Sequence, residues 1–298
     1  MSRAKSLLAE EAPSYRKASF YFAAHPDDWQ LFMNPFAFLD VADKATKVVF
    51  VHMTSGDAGL GTGTGGRKHP LYLARENGAE LAIRFMADAD GAPEDRIETF
   101  IAVNGHSIRR IRYKNTMSYV LRLPDGNLAG SGYPETGHQS LLRLANGDID
   151  TCAAIDGSAA YHGWADLVAT LREIVDIERA HCPAVDLHVP EPDPAINPGD
   201  HSDHLTTAKA ALDAAGTHTP ARWYCHTGYS SAALPENLTA QQRDMKSAVF
   251  AVTVAGVLAL DHGAAWRHYH HAYAGRSYVR IEEGARSIAQ ERLGSTAR

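Results

Sequence analysis

Only three cysteines occur in 298 residues, Cys152, Cys182 and Cys225, widely spaced and with no CxxC pair among them. An odd count without close pairs argues against a disulfide framework, and reduced, mostly buried thiols of a cytoplasmic protein are expected. Long hydrophobic runs are equally scarce. The longest, Ala248–Leu260, falls short of the ~18–20 residues that span a bilayer, so a buried helix is expected there. Residues 1–17 carry scattered charges and no apolar core, which speaks against a secretory signal. Nor is there an excess of positive charge: the net charge of −6 leaves no electrostatic footprint for nucleic acid or an anionic membrane. What remains is an ordinary globular composition, 45% hydrophobic and 21% charged, in a chain long enough to bury a substantial core. Sixteen histidines are many for that length and raise the prospect of metal or proton chemistry.

The chain is organised around Ala23-Ala24-His25-Pro26-Asp27-Asp28, which follows the apolar Ser19–Phe22. This reads as a buried strand emptying into a polar turn. Two adjacent carboxylates beside an imidazole are uncomfortable without a cation. A plainer reading makes Asp27 or Asp28 the N-cap of a helix through Trp29, Leu31 and Phe32.

Residues 47–53 form a second near-continuous apolar strand, and Thr54-Ser55-Gly56-Asp57 again places polar groups at a strand end. Gly59–Gly66 can be matched to GxGxxG, but Arg67-Lys68-His69-Pro70 separates it from the next helix, so a mobile loop or lid is preferred to a dinucleotide cradle. The spacing predicts a helix over 71–86, with Leu71, Ala74, Gly78, Leu81, Ala82 and Phe85 on its inner side and Arg75 and Glu76 near its start. Strands are expected over 97–103, 108–113 and 117–123, then a turn at Pro124-Asp125-Gly126-Asn127 and loop from 130 to 148. This block reads as a β-rich hairpin insertion at about 104–150 on a single α/β domain. A helix over 164–179, a short strand over 185–189 and a proline-rich loop lead to the second cluster.

That cluster is His201-Ser202-Asp203-His204. Asp200 is a natural N-cap for the helix that follows, whose stripe is Leu205, Ala208, Leu212 and Ala215, closed by Gly216. His201 and His204 share a face of its first turn, where the helix dipole favours neutral imidazoles. Alternating strand, polar turn and helix predict a mostly parallel sheet with helices on both faces, and ligands of such sheets gather where both clusters fall.

AHPDD after the first strand and HSDH opening a late helix resemble the motifs of the zinc-dependent N-acetylglucosaminyl deacetylase family (PIG-L/LmbE-like). Trp29 stands where the family usually has Glu and Ser202 where it has Pro. The resemblance covers most of residues 18–227, including the Arg75-Glu76 helix, and implies a Rossmann-like α/β fold. It implies His25, Asp28 and His204 as ligands of Zn²⁺, with Fe²⁺, Co²⁺ or Ni²⁺ accepted by the same donors. Asp27 would be the general base, His201 would stabilise the oxyanion, and Asp203 would orient His201. Some relatives carry a tyrosine just before the second motif; Gly199 and Asp200 stand there in this chain. The implied activity is removal of an N-acetyl or other N-acyl group from a small amino-sugar substrate. The hairpin block and TSGDAG are similar to members that act on secondary metabolites. No nucleic-acid or membrane partner is expected, and a homo-oligomer is admitted.

Two other readings stand beside it. His25-Pro26-Asp27 with a distal histidine also matches the triad of a non-haem Fe(II) oxygenase, although such enzymes usually sit on β jelly rolls. A non-catalytic carbohydrate-binding protein would keep the pocket alone. Near the end, residues 222–226 read as a strand and the chain from Asn237 as a long helix. Trp266, His268, Tyr269, His270 and His271 cluster beyond it, more simply packing or surface than ligands.

Overall fold

The structure, a computed structural model, describes residues 15–216, 219–263 and 266–284, and of residues 267, 269 and 270 only the backbone. The elements in chain order are β1 (Lys17–Ala23), α1 (Asp28–Phe32), α2 (Phe36–Ala42), β2 (Thr46–Thr54), α3 (Leu71–Ala87), β3 (Ile97–Val103), β4 (His106–Tyr113) and β5 (Thr116–Leu123). Then follow α4 (Leu141–Asn146), β6 (Thr151–Ala153), β7 (Ala160–His162), α5 (Trp164–Arg179), β8 (Ala184–Pro190), α6 (Ser202–Ala215), β9 (Arg222–His226), α7 (Ala240–Ala259), α8 (Trp266–Tyr273) and β10 (Val279–Glu283).

Eight strands form one sheet in the order β10-β9-β8-β1-β2-β5-β4-β3. Its centre is parallel: β1 pairs with both β2 and β8, β5 with β2, and β9 with β8. Antiparallel strands close both edges, β10 on β9 and the β3–β4 hairpin on β5. The sheet is covered on both sides, which is why its central strands are apolar at successive positions. Phe20, Phe22, Val49 and Val51 face one core with residues of α5 and α6, while Tyr21, Ala23, Val48 and Phe50 face another with α1, α2, α3 and α7.

The mixed sheet with flanking helices is the one the sequence predicts. The hairpin block divides in a way the sequence did not reveal. β5 is a core parallel strand, and only β3–β4 extends the edge, because Thr116–Leu123 is buried nearly throughout whereas β3 is largely exposed. Within the stretch read as loop, Pro134–Thr136 makes a 3-10 turn and Leu141–Asn146 a helix. Ser140 caps that helix by accepting the N–H of Arg143, Leu141 and Leu144 are buried, and Gly147 ends it in the left-handed region.

The inner face of α3 is also rotated from the one read by period. Phe85 is exposed and Tyr72, Ala79, Ile83 and Met86 are buried, because α3 crosses α7 at Gly78. A Cβ on Gly78 would stand 2.6 Å from the carbonyl oxygen of Thr253. Gly216 ends α6 in a right-handed helical conformation, without the left-handed closure read from its glycine. The three cysteines are free, with Cys152 and Cys225 buried and Cys182 half-buried. Among the described residues no helix is long and apolar enough to cross a membrane.

Candidate metal centre

Every strand that feeds the site does so from its carboxyl end, and β1 lies where the order of connection reverses, with β2 on one side and β8 on the other. β1 stops at Ala23, and the turn through Pro26 carries His25 and Asp28 into the interior, 4% and 3% exposed. The proline-rich loop after β8 delivers His201 and His204 to the start of α6.

The carboxylate of Asp28 lies between two imidazoles. Its Oδ2 accepts the backbone N–H of His25 at 2.6 Å and lies 3.3 Å from Nδ1 of the same residue. Its Oδ1 lies 3.1 Å from Nε2 of His204. Potential ligand atoms of His25, Asp28 and His204 fall within 4.8 Å of one another, so the two distant motifs meet. A second group shares His25 and adds Asp125, His201 and Asp203. Sequence reasoning missed Asp125, which it absorbed into a turn. An acid two residues beyond a strand, in a fold whose ligands collect at strand ends, was the signal available.

His201 stacks edge-on to His25, with ring centroids 4.6 Å apart. It occupies the N-cap of α6 in place of Asp200, and its Nδ1 accepts the backbone N–H of Asp203 at 3.2 Å. A neutral His201 therefore carries its proton on Nε2, which lies 3.7 Å from Oδ1 of Asp125. The Asp203 carboxylate lies closer to His25 than to His201. Its Oδ2 is 3.3 Å from Nε2 of His25 and 3.7 Å from Nδ1 of His201. That oxygen also accepts the N–H of Gly126 at 2.8 Å, an approach a side chain at 126 would block, since its Cβ would sit 2.5 Å from Asp203 Oδ1.

Asp27 sits apart from both groups. It holds the N-cap position of α1 without a side-chain cap bond, and its Oδ1 lies 3.2 Å from a guanidinium nitrogen of Arg75 on α3. The capping reading thus accounts for its backbone only. The His-x-Asp pair of an oxygenase triad is not assembled here, since Asp27 and His25 do not converge, and the sheet is no jelly roll.

Burial alone would push the buried histidines down. At His25 the carboxylates of Asp28, Asp203 and Asp125 overcome it and hold the ring well above its ordinary value. At His204 they are Asp28 and Asp200, and the ring is raised to about 10. Asp28 is held well below the usual carboxylate range against its own burial, by His204 and His25. His201 is lowered by burial and by the neighbouring His25. The shift at His201 is in the direction of the neutral state expected of it, whereas at His204 the direct carboxylate contacts outweigh both burial and the helix dipole. The pocket is built to surround positive charge.

A divalent cation fits these donors. Nε2 of His25, Nε2 of His204 and Oδ1 of Asp203 are buried without a hydrogen-bond partner among the described residues, and imidazole nitrogen with carboxylate oxygen is a donor set of transition metals. The glycine-rich stretch 59–66 forms turns that open no helix, and Tyr133 packs on Gly59. Of the late aromatic cluster, Trp266 stacks on Phe250 and His268 and His271 are exposed on α8; the side chains of Tyr269 and His270 lie outside the described residues.

No curated protein matches the chain. A family model does: PIG-L, described as GlcNAc-PI de-N-acetylase, matches residues 20–215, from the middle of β1 to the last residue of α6. That span contains both halves of the His/Asp cluster and most of the chain, and the protein accordingly belongs to the PIG-L family of deacetylases.

Proposed function

We propose that this protein is a metal-dependent amide hydrolase. It removes an N-acetyl or other N-acyl group from a small molecule or glycoconjugate containing N-acetylglucosamine. The observation that carries the reading is the convergence of His25, Asp28 and His204, with the next carboxylate along the turn, Asp27, outside that group and paired with Arg75.

His25, Asp28 and His204 would hold the cation, zinc being the first choice for two imidazoles and a carboxylate with a position left open. When bound it would supply Lewis acidity toward the amide carbonyl and lower the pKa of a water toward ~7. Asp27 takes the proton of the attacking water and returns it to the leaving amine. Arg75 holds that carboxylate in place. His201, with its proton on Nε2, donates to the oxygen that becomes negative in the tetrahedral intermediate. Asp203 beside His25 and Asp125 beside His201 help to set the orientation of the two rings.

The test is acetate release across a panel of N-acetylhexosamine conjugates, with and without chelator. Release that chelator abolishes and added zinc restores supports the reading. Metal-loaded protein that frees acetate from none of them, or turnover that chelator leaves untouched, overturns it.

A further inference from the structure

The carboxylate immediately before the second motif has a place of its own in the fold. Asp200 does not cap α6, since His201 does. Its side chain is fully buried, and its Oδ1 lies 2.9 Å from Nδ1 of His204. A carboxylate only accepts at this distance, so the imidazole carries a proton on Nδ1 and turns Nε2 toward Asp28.

Two loops make the seat for this carboxylate. From the proline-rich loop, the Asn197 amide donates to Oδ2 of Asp200 at 2.5 Å. From the segment after β9, the N–H of Tyr229 donates to Oδ1 at 3.2 Å. Asn197 is fixed in turn, its Oδ1 accepting the N–H of Gly228 at 3.2 Å and the hydroxyl of Ser230 at 2.8 Å. Gly228 leaves the room, because a Cβ there would stand 2.5 and 2.8 Å from the two carboxylate oxygens.

We infer that Asp200 is a positioning residue that locks the ring and tautomer of His204, with Asn197 and Gly228 holding Asp200 in register. The inference rests on the metal-binding part of the function proposed above. Histidines that ligate metals characteristically give their second ring proton to a carboxylate, and losing that partner weakens metal binding by about 10–100-fold. Nothing in either motif announces this role, since the supporting groups come from residues 197, 228 and 229.

The experiment titrates zinc against a chelator in the full chain, and it needs no substrate. Asp200→Ala is expected to weaken zinc about 10–100-fold while the metal-free protein still unfolds cooperatively. Asp200→Asn, which keeps an acceptor for the ring proton, is expected to lose less. Gly228→Ala retains the carboxylate but displaces it, and should weaken zinc in the same direction. Nitrogen NMR of the zinc-loaded wild type should find the His204 proton on Nδ1. Wild-type affinity in both Asp200→Ala and Gly228→Ala, or a proton on Nε2, overturns the inference. Should Asp200→Ala fail to fold, Asp200→Asn and Gly228→Ala decide in the same way. A wild type that binds zinc but deacetylates nothing sinks the proposed substrate and leaves this inference standing; one that takes up no divalent metal sinks both.

Discussion

Arg75 reaches from α3 to within 3.2 Å of the Asp27 carboxylate, while Asp28, the next residue, turns inward to His25 and His204. Adjacent acids are thereby given separate tasks. Asp27→Asn should retain zinc in a chelator titration and lose about 10²–10⁴-fold in kcat, the usual weight of a general base. Retained turnover would remove the base assignment. Arg75→Met should lower kcat by up to about 100-fold at unchanged zinc affinity, through misplacement of the base.

The opposite pattern is expected at the cluster itself. His204→Ala removes one of three converging donors, so metal and turnover should vanish together. Direct metal analysis after dialysis against zinc, paired with an acetate assay, checks both. Zinc at full stoichiometry in this variant would show that the other group, with Asp125, His201 and Asp203, suffices.

Acid should destabilise the fold through neutral buried histidines. Burial lowers His52 to about 4, and holds His188 and His226 well below their ordinary value. An unfolded chain takes up these protons near pH 6.5, whereas the native state refuses that of His52 until about pH 4. Stability is therefore full above about pH 6.5 and falls as the pH drops toward 4, by up to roughly 3 kcal/mol for His52 alone. Urea midpoints between pH 7.5 and 4.5 should show the decline, and His52→Leu should flatten it. An equally steep slope in that variant refutes the assignment.

At the crossing of α3 and α7, Gly78→Ala should destabilise the protein by about 1–3 kcal/mol, since the new methyl meets a backbone carbonyl that cannot move alone. The gain in helix propensity, ~1 kcal/mol, opposes this and is the smaller effect. A urea midpoint above that of the wild type would show that the helices part without cost. Because Arg75 lies one turn away on the same helix, kcat should fall with stability.

Much of the fold was legible. The apolar runs at Ser19–Phe22, 47–53 and 185–189 are parallel strands because both faces of the sheet are covered, and a doubly buried strand leaves a continuous apolar signature. His25, Asp28 and His204 were legible because their residue types are costly to bury without a charge partner. Local periodicity could not reveal that β5, while still paired with β4, also joins β2 in parallel, because pairing partners are set by packing across the sheet. It missed α4 as well, whose six residues are too few to show a period.

The residues alone fixed which chemical groups would collect at the ends of the strands, since the motifs are short and their spacing to strand and helix is local. Only the tertiary structure decided which carboxylate serves which ring. Asp203 sits nearest His25, Asp200 holds His204, and Asp125 faces His201 from a turn after β5. Those pairings link residues from several segments, and their geometry follows from how the loops converge over the carboxyl ends of the central strands, which no local pattern encodes.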